Sequence, residues 1–378
     1  MIGQRGLPAT WGGVERHVEE IGARLVARGH QVTAYGRHSY TDRLRTEVRG
    51  IRVRSLPTVR GKGVEALTHS FQSAFVALGE HYDVVHFHAV GPGLAAAVTR
   101  PLSGAAVVQT IHGLDADRSK WGTAGRAALR LGTWTSARVP HETIVVSREL
   151  QEHYAAVYDR RTTRIPNGVP EPVLASEAHL RERFGLEPGS YLLHVGRLVP
   201  EKAADLAIEA FGKVRDDRVR LVIAGSSADT DEYAANLRDL ARRVGNVDLV
   251  GFAGGQDLAA LYTHAQAYVS ASLLEGLPLT VLEAMSYGLP VVLSAIPPHV
   301  EVAGDEEVPG IRLTTPGSLI SFADGLASAL SADVDAERRA ATERAGRLMS
   351  AYDWDAVAAQ TEAVYRRAVD LRGRTRAR

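Results

Sequence analysis

Two glutamates flank the start of a predicted helix in the stretch SLLEGLPLTVLEAM, residues 272–285. Glu275 stands directly before Gly-Leu-Pro, and Glu283 lies about five residues beyond Pro278, more than one helical turn inside. Pro278 suits the first turn of a helix, where its missing N–H costs nothing, and the free amides there favour a phosphate group. This spacing lets one carboxylate hold hydroxyl groups on one side of a diphosphate while the other carboxylate holds hydroxyl groups on its far side.

Cations, glycines and a histidine stand at other predicted strand ends and helix starts. Arg197 and Lys202, in GRLVPEKAADLAIEAF, lie in a strand-to-helix loop, where two cations five residues apart can bracket a diphosphate. Gly12 and Gly13 lie at the start of the first predicted helix, where the backbone can approach an anion or a sugar closely. His112 follows a strand in QTIHG. Each pattern alone is more often a solvated charge, a structural histidine or a tight turn, but their shared position indicates one site in a cleft between two domains.

Nine short apolar runs rich in β-branched residues predict the strands that position these groups. The runs are QVTAY, YDVVHFH, AAVVQTI, ETIVVS, SYLLHVG, RVRLVIAG, VDLVGF, AQAYVSAS and PVVLS. Near-continuous apolarity is typical of strands covered on both faces. Helical patterns lie between many of the runs, such as the apolar spacing from Val14 to Leu25, which ends at Gly29. We therefore predict two doubly wound α/β domains that bind ligands beyond the carboxyl ends of their parallel strands.

Length and charge narrow the class of protein. A chain of 378 residues suits two domains, and Lys+Arg and Asp+Glu number 44 each, so the net charge gives no reason to expect a nucleic-acid partner. No apolar run approaches the roughly 18 residues of a membrane span. The first ten residues also lack the apolar segment of a signal peptide.

Metal binding is not predicted. The chain has no cysteine, which excludes disulfides and thiolate metal sites and fits a cytoplasmic protein. The triplet HFH at 86–88 places two histidines on one face of a strand, as a metal pair would require. No carboxylate accompanies them at ligand spacing, so we predict that this triplet holds no metal.

The stretch RIPNGVPEPV, rich in proline, predicts a boundary between the domains. We place the first domain at 1–165, the second at 170–352 and a final amphipathic helix with a basic tail at 353–378. At the other end of the chain, MIG is shorter than the roughly five residues of a buried strand. Either the first strand is stunted or the native chain begins upstream.

Taken together, the motifs resemble those of the family 4 retaining glycosyltransferases of the GT-B fold, the group named glycosyl transferases group 1. The matching stretches are TWGGVERHVEEI, TIHG, IPNGV, HVGRLVPEK and EGLPLTVLEAM. The resemblance spans residues 3 to about 370, essentially the whole chain. It implies two Rossmann-like domains that face each other across a deep cleft. The N-terminal domain would bind the acceptor and the C-terminal domain the nucleotide sugar, and the last helix would cross back to the N-terminal domain.

The resemblance assigns roles to the residues that match the family's motifs. Arg197 and Lys202 would neutralise the donor diphosphate in place of a metal. Glu275 would bind hydroxyls of the donor sugar, Glu283 the ribose, and His112 would orient the transferred sugar. The implied donor-binding set is Gly12, Gly13, Arg197, Lys202, Glu275, Gly276, Leu277, Pro278, Leu279 and Glu283. The implied catalytic set is His112, Arg197, Lys202 and Glu275. We expect Lys202 and Glu275 to face solvent in the cleft, so that neither supports the core.

Two basic loops of the N-terminal domain, at 57–70 and 114–122, are the predicted acceptor site. They supply Arg60, Lys62, Arg118, Lys120 and Trp121. These residues suit an anionic or lipid-linked acceptor, with Trp121 as a stacking surface for a sugar ring. A solvated basic loop with a packing tryptophan explains the same residues equally well.

The resemblance implies a retaining transferase that moves a hexose from a nucleotide diphosphate sugar, with UDP favoured, to a hydroxyl of a glycan, a lipid-linked sugar or a small molecule. It implies no metal or other cofactor, and a cytoplasmic location that allows peripheral contact with the inner face of the membrane. Two alternatives would use the same donor: a nucleotide-sugar epimerase of the same fold and a non-catalytic sugar-nucleotide binding protein. A dehydrogenase is disfavoured because neither G-x-G-x-x-G nor G-x-x-x-x-G-K-[ST] occurs in the right context.

Overall fold

The apolar runs of the sequence form parallel sheets in two units of the computed structural model. Unit 1 is Met1–Gly168 together with Tyr352–Arg378, and unit 2 is Val169–Ala351. The sequence-based boundaries lay at 165, 170 and 352. The structure describes residues 1–9, 12–42, 44–59, 61, 64–114, 122–214, 216–227, 230–306 and 308–376.

The first segment of unit 1 alternates strands and helices. Its strands are β1 (Thr33–Arg37), β2 (Glu47–Val48), β3 (Ile51–Leu56), β4 (Val84–His88), β5 (Ala106–Ile111), β6 (Glu142–Val145) and β7 (Thr163–Arg164). Its α-helices are α1 (Gly13–Ala27), α2 (Val64–Leu78), α3 (Ala96–Leu102), α4 (Thr123–Arg138) and α5 (Arg148–Tyr158). Parallel pairing joins β4, β5, β6 and β7 in that order, and a second sheet has the order β1, β3, β2. Strands β1 and β3 are parallel, whereas β2 is antiparallel to β3.

The first two residues of the chain occupy a strand position between β1 and β4. Ile2 forms a parallel bridge with Phe87 of β4 and is fully buried, and its amide donates to the His86 carbonyl at 2.9 Å. On the other side, the amide of Tyr35 in β1 donates to the carbonyl of Met1 at 3.1 Å. Met1 and Ile2 therefore join the two sheets of unit 1.

Unit 2 is a doubly wound domain built on one six-stranded sheet. Its strands are β8 (Tyr191–Val195), β9 (Arg220–Ala224), β10 (Val247–Gly251), β11 (Ala267–Ser270), β12 (Val291–Ser294) and β13 (Ile311–Thr314). Its α-helices are α6 (Glu177–Phe184), α7 (Ala204–Val214), α8 (Asp231–Val244), α9 (Gln256–His264), α10 (Leu279–Ser286), α11 (Pro297–Ala303), α12 (Leu319–Ser331) and α13 (Val334–Ala351). All neighbours are parallel in the order β10, β9, β8, β11, β12, β13. From β8, the chain thus adds β9 and β10 on one side of the sheet. It then crosses back and adds β11, β12 and β13 on the other side of β8.

Each of the nine apolar runs overlaps one of these strands, and the predicted α/β class is confirmed. The strands that the sequence did not predict are β2, β3, β7 and β13. In β3 the arginines Arg52 and Arg54 alternate with apolar residues, so the run is not continuously apolar. Strand β13 has only four residues, and one of them is Arg312, which pairs with Glu337 at 2.9 Å. A search for continuous apolar runs therefore identifies the mostly buried strands and misses strands that are short or partly exposed.

The final helix, α14 (Trp354–Arg376), belongs to unit 1 and packs against α1 and β5. Trp354 is only 2% exposed and lies in a buried apolar cluster with Ile21 and Val108. An ion pair from Arg28 to Glu362, with a 2.7 Å separation, adds a second attachment to α1. Although α14 has 23 residues, neither it nor any other described helix is long and apolar enough to cross a membrane.

The attachment of α14 predicts that Gly168→Ala destabilises unit 1. A Cβ at Gly168 would stand 2.5 Å from the indole ring of Trp354 and 2.9 Å from its Cα, so the helix or the loop must shift. We expect the free energy of unfolding of unit 1 to fall by roughly 1 to 3 kcal/mol, as for other overpacked sites. Urea and thermal unfolding followed by circular dichroism measure this change.

The matched control is Gly373→Ala, which adds the same methyl group on α14 where nothing lies within 4 Å. We expect this variant to be as stable as the parent chain or more stable by up to about 1 kcal/mol, because alanine favours helix more than glycine does. Equal stability of the two variants would contradict tight packing of Trp354 over Gly168.

Candidate functional site

The sheet of unit 2 reverses its direction of growth between β8 and β11, and the sequence-predicted residues of this unit follow these two strands. In doubly wound sheets, ligands bind beyond the carboxyl ends of the strands at such a reversal. Arg197 follows β8, and Lys202 ends the short 3₁₀ helix Pro200–Lys202 that leads to α7. Glu275 lies in the loop from β11 to α10. We call Arg197, Lys202, Glu275 and the start of α10 the switch-point site.

An ion pair and a backbone hydrogen bond join the two loops of the switch-point site. The ammonium of Lys202 contacts the carboxylate of Glu275, although 73 positions separate them in the chain. The amide of Leu273 donates to the carbonyl of Glu201 at 2.9 Å. The site is therefore assembled by the neighbouring positions of β8 and β11.

The side chains of this ion pair are more buried than we expected from the sequence. The Lys202 side chain is 15% exposed and that of Glu275 10% exposed, so the expectation that both face solvent is wrong. The physical reason is the pairing itself, because each charge compensates the desolvation of the other. Both residues consequently contribute to the stability of unit 2.

The pKa of Glu275 reflects this environment. Burial alone raises the pKa of the Glu275 carboxyl. The positive charge of Lys202 and the proximity of His299, together with hydrogen bonds from Lys202 and Ser272, outweigh burial and hold this pKa below its ordinary value of 4.5. Glu275 is therefore ionised at neutral pH and can accept hydrogen bonds. Sequence reasoning missed the roles of Ser272, which is three residues from Glu275 in the chain, and of His299, which only the fold brings to this carboxylate.

Polar contacts beneath the site fix the start of α10. The hydroxyl of Tyr268 in β11 lies 2.8 Å from Oγ1 of Thr280, in the first turn of the helix. The amides of Val281 and Leu282 donate to the carbonyl of Pro278, which places Gly276, Leu277 and Pro278 before the helical ladder. The amides that precede such a ladder are the donors that a helix leaves unpaired, so the start of α10 can bind an anion.

Glu283 lies further along α10 and is 6% exposed. The Tyr262 hydroxyl donates to Oε2 of Glu283 at 3.2 Å, and the ring of Tyr262 stacks on that of Tyr287 with centroids 5.3 Å apart. Tyr262 thereby holds the carboxylate in position. The predicted contact of Glu283 with a ribose remains a prediction.

The predicted residues of unit 1 are the glycines at the start of α1, the acceptor candidates, and His112. Helix α1 begins at Gly13, and Gly12 has φ of 96°, a conformation that favours glycine. A Cβ at Gly12 would also lie 2.6 Å from the carboxylate of Glu15. The acceptor candidates Arg60, Lys62, Arg118, Lys120 and Trp121 all lie outside the described residues.

His112 directly follows β5 and is partly buried beside two other histidines. Its ring centroid lies 4.6 Å from that of His17 on α1, and its Nε2 lies 3.3 Å from Nδ1 of His88. Burial lowers the pKa of His112 well below its ordinary value, so the ring is neutral at pH 7. Sequence reasoning singled out His88 and His112 separately but missed His17. The parallel pairing of β4 and β5 could have indicated that His88 and His112 are neighbours.

Two protein families match the two halves of this chain. The family described as Glycosyltransferase Family 4 matches residues 11–171, and the family described as Glycosyl transferases group 1 matches residues 177–349. The chain is also similar to a D-inositol 3-phosphate glycosyltransferase of Geodermatophilus obscurus. The two are 32% identical, over 75% of this chain and 70% of that relative.

Solved structures resemble the chain over almost its full length. Sucrose-phosphate synthase from Thermosynechococcus elongatus aligns with a TM-score of 0.80 and 21% identity, over 97% of this chain and 94% of that one. Anabaena HepE, solved in complex with UDP-glucose, aligns with a TM-score of 0.78 and 19% identity, over 96% of this chain and 97% of that one. At these identities the likeness concerns the fold.

The depressed pKa of Glu275 predicts a pH-dependent contribution to stability. A carboxyl whose pKa is lower in the folded state stabilises the fold above its ordinary pKa, and this stabilisation is lost as the pH falls through the folded value. We expect Glu275→Gln to lower the free energy of unfolding of unit 2 by about 2 kcal/mol at neutral pH, because Lys202 loses its charged partner. The difference from the parent chain should shrink as the pH falls below 4.5.

Urea unfolding of the two proteins at several acidic and neutral pH values measures this difference. Glu209→Gln, which changes an exposed glutamate on α7, is the matched control and should follow the parent chain throughout. A constant difference between Glu275→Gln and the parent chain at all these pH values would contradict the electrostatic account.

Proposed function

Because the chain belongs to the family 4 glycosyltransferases of the GT-B fold, and is therefore an enzyme that transfers sugars, we propose that it moves a hexose from UDP-hexose to an acceptor hydroxyl. The acceptor is a glycan, a lipid-linked sugar or a small molecule. The transfer retains the anomeric configuration and needs no metal at the diphosphate. Arg197, Lys202 and the start of α10 act on the donor.

The observation that carries this proposal is the Lys202–Glu275 ion pair at the reversal of the sheet. An ammonium has three N–H donors, so Lys202 can bind a carboxylate and still donate to diphosphate oxygens. An ionised carboxylate only accepts, so Glu275 suits the hydroxyls of a sugar. One pair thus supplies the two kinds of contact that a nucleotide sugar requires.

The chemical step requires charge stabilisation on the leaving group. The bond between the anomeric carbon and the diphosphate oxygen breaks, and its electron pair stays on the diphosphate. The acceptor oxygen forms the new bond to the anomeric carbon on the same face, and its proton passes to an oxygen of the departing phosphate. Arg197, Lys202 and the amides at the start of α10 stabilise the charge that develops there, which is commonly the largest single contribution to enzymatic catalysis.

The comparisons support particular choices of donor and acceptor. HepE was solved with UDP-glucose, and this supports UDP as the nucleotide. The relative from Geodermatophilus obscurus is named a D-inositol 3-phosphate glycosyltransferase, which supports testing a phosphorylated polyol as acceptor. His112, Gly12 and Gly13 are proposed to contact the transferred sugar or its phosphate.

Thermal unfolding of the protein with UDP, GDP, ADP or dTDP tests the donor half of the proposal. A ligand at 100 times its dissociation constant stabilises the folded state by about 2.7 kcal/mol. For a domain the size of unit 2 this corresponds to roughly 5 to 10 °C in Tm. We expect UDP to produce such a shift without added metal, and the other nucleotides to produce a smaller one.

Lys202→Ala should lose most of the UDP-dependent shift, because the ammonium no longer binds the diphosphate. Lys213→Ala is the matched control, since Lys213 is an exposed lysine of the same unit, near the end of α7. It should respond to UDP like the parent chain. An equal shift in the parent chain and in Lys202→Ala would contradict the role assigned to Lys202, and no shift with any nucleotide would contradict the proposed donor.

A further inference from the structure

We propose that His17, His88 and His112 form a binding site for a divalent transition metal within unit 1. One ring nitrogen from each histidine lies within 4.8 Å of one nitrogen from each of the other two. The three side chains come from separate elements, since His17 lies on α1, His88 ends β4 and His112 follows β5. The sequence-based prediction of no metal at the HFH triplet considered carboxylate partners, whereas the fold supplies a third imidazole.

The spacing of His88 and His112 suits tetrahedral coordination. Metal–nitrogen distances of 2.0 to 2.1 Å place two ligands of a tetrahedral zinc site roughly 3.3 Å apart. Nδ1 of His88 and Nε2 of His112 lie 3.3 Å apart. The pairing of β4 with β5, in which His88 stands opposite Thr110, fixes this spacing through the backbone.

A hydrogen bond orients the third ring. Nδ1 of His17 lies 2.6 Å from Oδ1 of Asn167, so the imidazole donates its proton there and its Nε2 carries the lone pair. Metal-binding histidines commonly have their second nitrogen held in this way. Nε2 of His17 is buried and has no hydrogen-bond partner among the described residues. Such unsatisfied atoms are rare in protein interiors, and this one is explained here by a ligand.

The neighbouring histidine His86 is not part of the site. Its Nδ1 lies 2.7 Å from the hydroxyl of Tyr365, and its Nε2 lies 2.7 Å from the hydroxyl of Thr110. Both nitrogens are therefore engaged, although its ring centroid is only 4.1 Å from that of His88. Three imidazoles select Zn²⁺, Co²⁺, Ni²⁺ or Cu²⁺ over Mg²⁺ and Ca²⁺, which prefer oxygen ligands. Three protein ligands also leave a fourth position open, and the partly exposed His112 provides access.

The consequence for activity rests on the proposed function, in which His112 contacts the transferred sugar. A metal bound to His112 would occupy the nitrogen that the sugar needs. Zn²⁺ bound at this site would therefore inhibit transfer.

Titration of the whole chain with Co²⁺, followed by visible absorption, tests the metal site without reference to activity. Tetrahedral Co²⁺ absorbs far more strongly than the hydrated ion, so we expect intense bands that saturate at one equivalent. His112→Ala and His17→Ala should abolish these bands. His81→Ala, which removes an exposed histidine of the same unit, should retain them. Bands that are absent from the parent chain, or that persist in His112→Ala, would overturn the proposal.

Asn167→Ala provides a second variant, which keeps all three ligands. Loss of the hydrogen bond to His17 should weaken Co²⁺ binding by about 10- to 100-fold, as for other groups that orient metal ligands. Thermal unfolding identifies variants that fail to fold, and His112→Ala, at a partly exposed position, is the variant expected to fold best. Unchanged Co²⁺ affinity in a folded Asn167→Ala would contradict the assigned geometry. Inhibition of transfer by Zn²⁺, reversed by a chelator, tests the link to activity separately, so that failure of the proposed function leaves the spectroscopic result intact.

Discussion

The ion pair between Lys202 and Glu275 connects the loops that follow β8 and β11, and the rest of the switch-point site is arranged around it. Both charges are largely removed from water, and each is tolerated because the other is present. Parallel strands place their carboxyl ends at one edge of a sheet, so these loops meet where the sheet reverses. The same pairing keeps Glu275 ionised and holds Lys202 beside the start of α10. In the proposed function, the stability of unit 2 and the recognition of the donor therefore depend on one interaction.

Unit 1 carries histidines at the carboxyl ends of two of its parallel strands. His88 and His112 stand at and beyond the ends of β4 and β5, and α1 adds His17. Here the groups are neutral rings in place of a charge pair, and Nε2 of His17 has no hydrogen-bond partner among the described residues. Asn167 orients one ring from the stretch IPNGV, close to the end of the first segment of this unit. In the proposals made above, a metal ion that accepts lone pairs would bind the three histidines, whereas a ligand that bears negative charge would bind the switch-point site.

The sequence predicted mostly apolar strands better than short or arginine-containing ones, for a physical reason. A strand covered on both faces is mostly apolar, as β5 and β9 are, and this can be read without knowing its neighbours. β3 has an exposed position and β13 a partly exposed one, and arginine is tolerated at both, so only their pairing in the sheet identifies these strands. The shortness of the first apolar run was also evident from the sequence, but the backbone hydrogen bonds of Ile2 to β4 were not.

The members of the candidate site were readable from motifs, whereas their contacts were not. Lys202 and Glu275 were each identified, but their pairing follows from the strand order β8, β11, which the order of the chain does not reveal. The burial of both side chains is a consequence of that pairing. His17 lacked any local signal, because its partners lie about 70 and 95 positions away and only the packing of α1 on the sheet brings them together.

The central claim is that Lys202 and Glu275 act on the donor as one unit. The most direct measurement is a double-mutant cycle on the rate of UDP release from UDP-glucose, using Lys202→Ala, Glu275→Gln and the double variant. We expect each single variant to lose roughly 100- to 1000-fold in kcat, and the double variant to lose little more than either, because groups that act together are not additive. Losses that multiply in the double variant, or single variants that retain full activity while folded, would contradict this account.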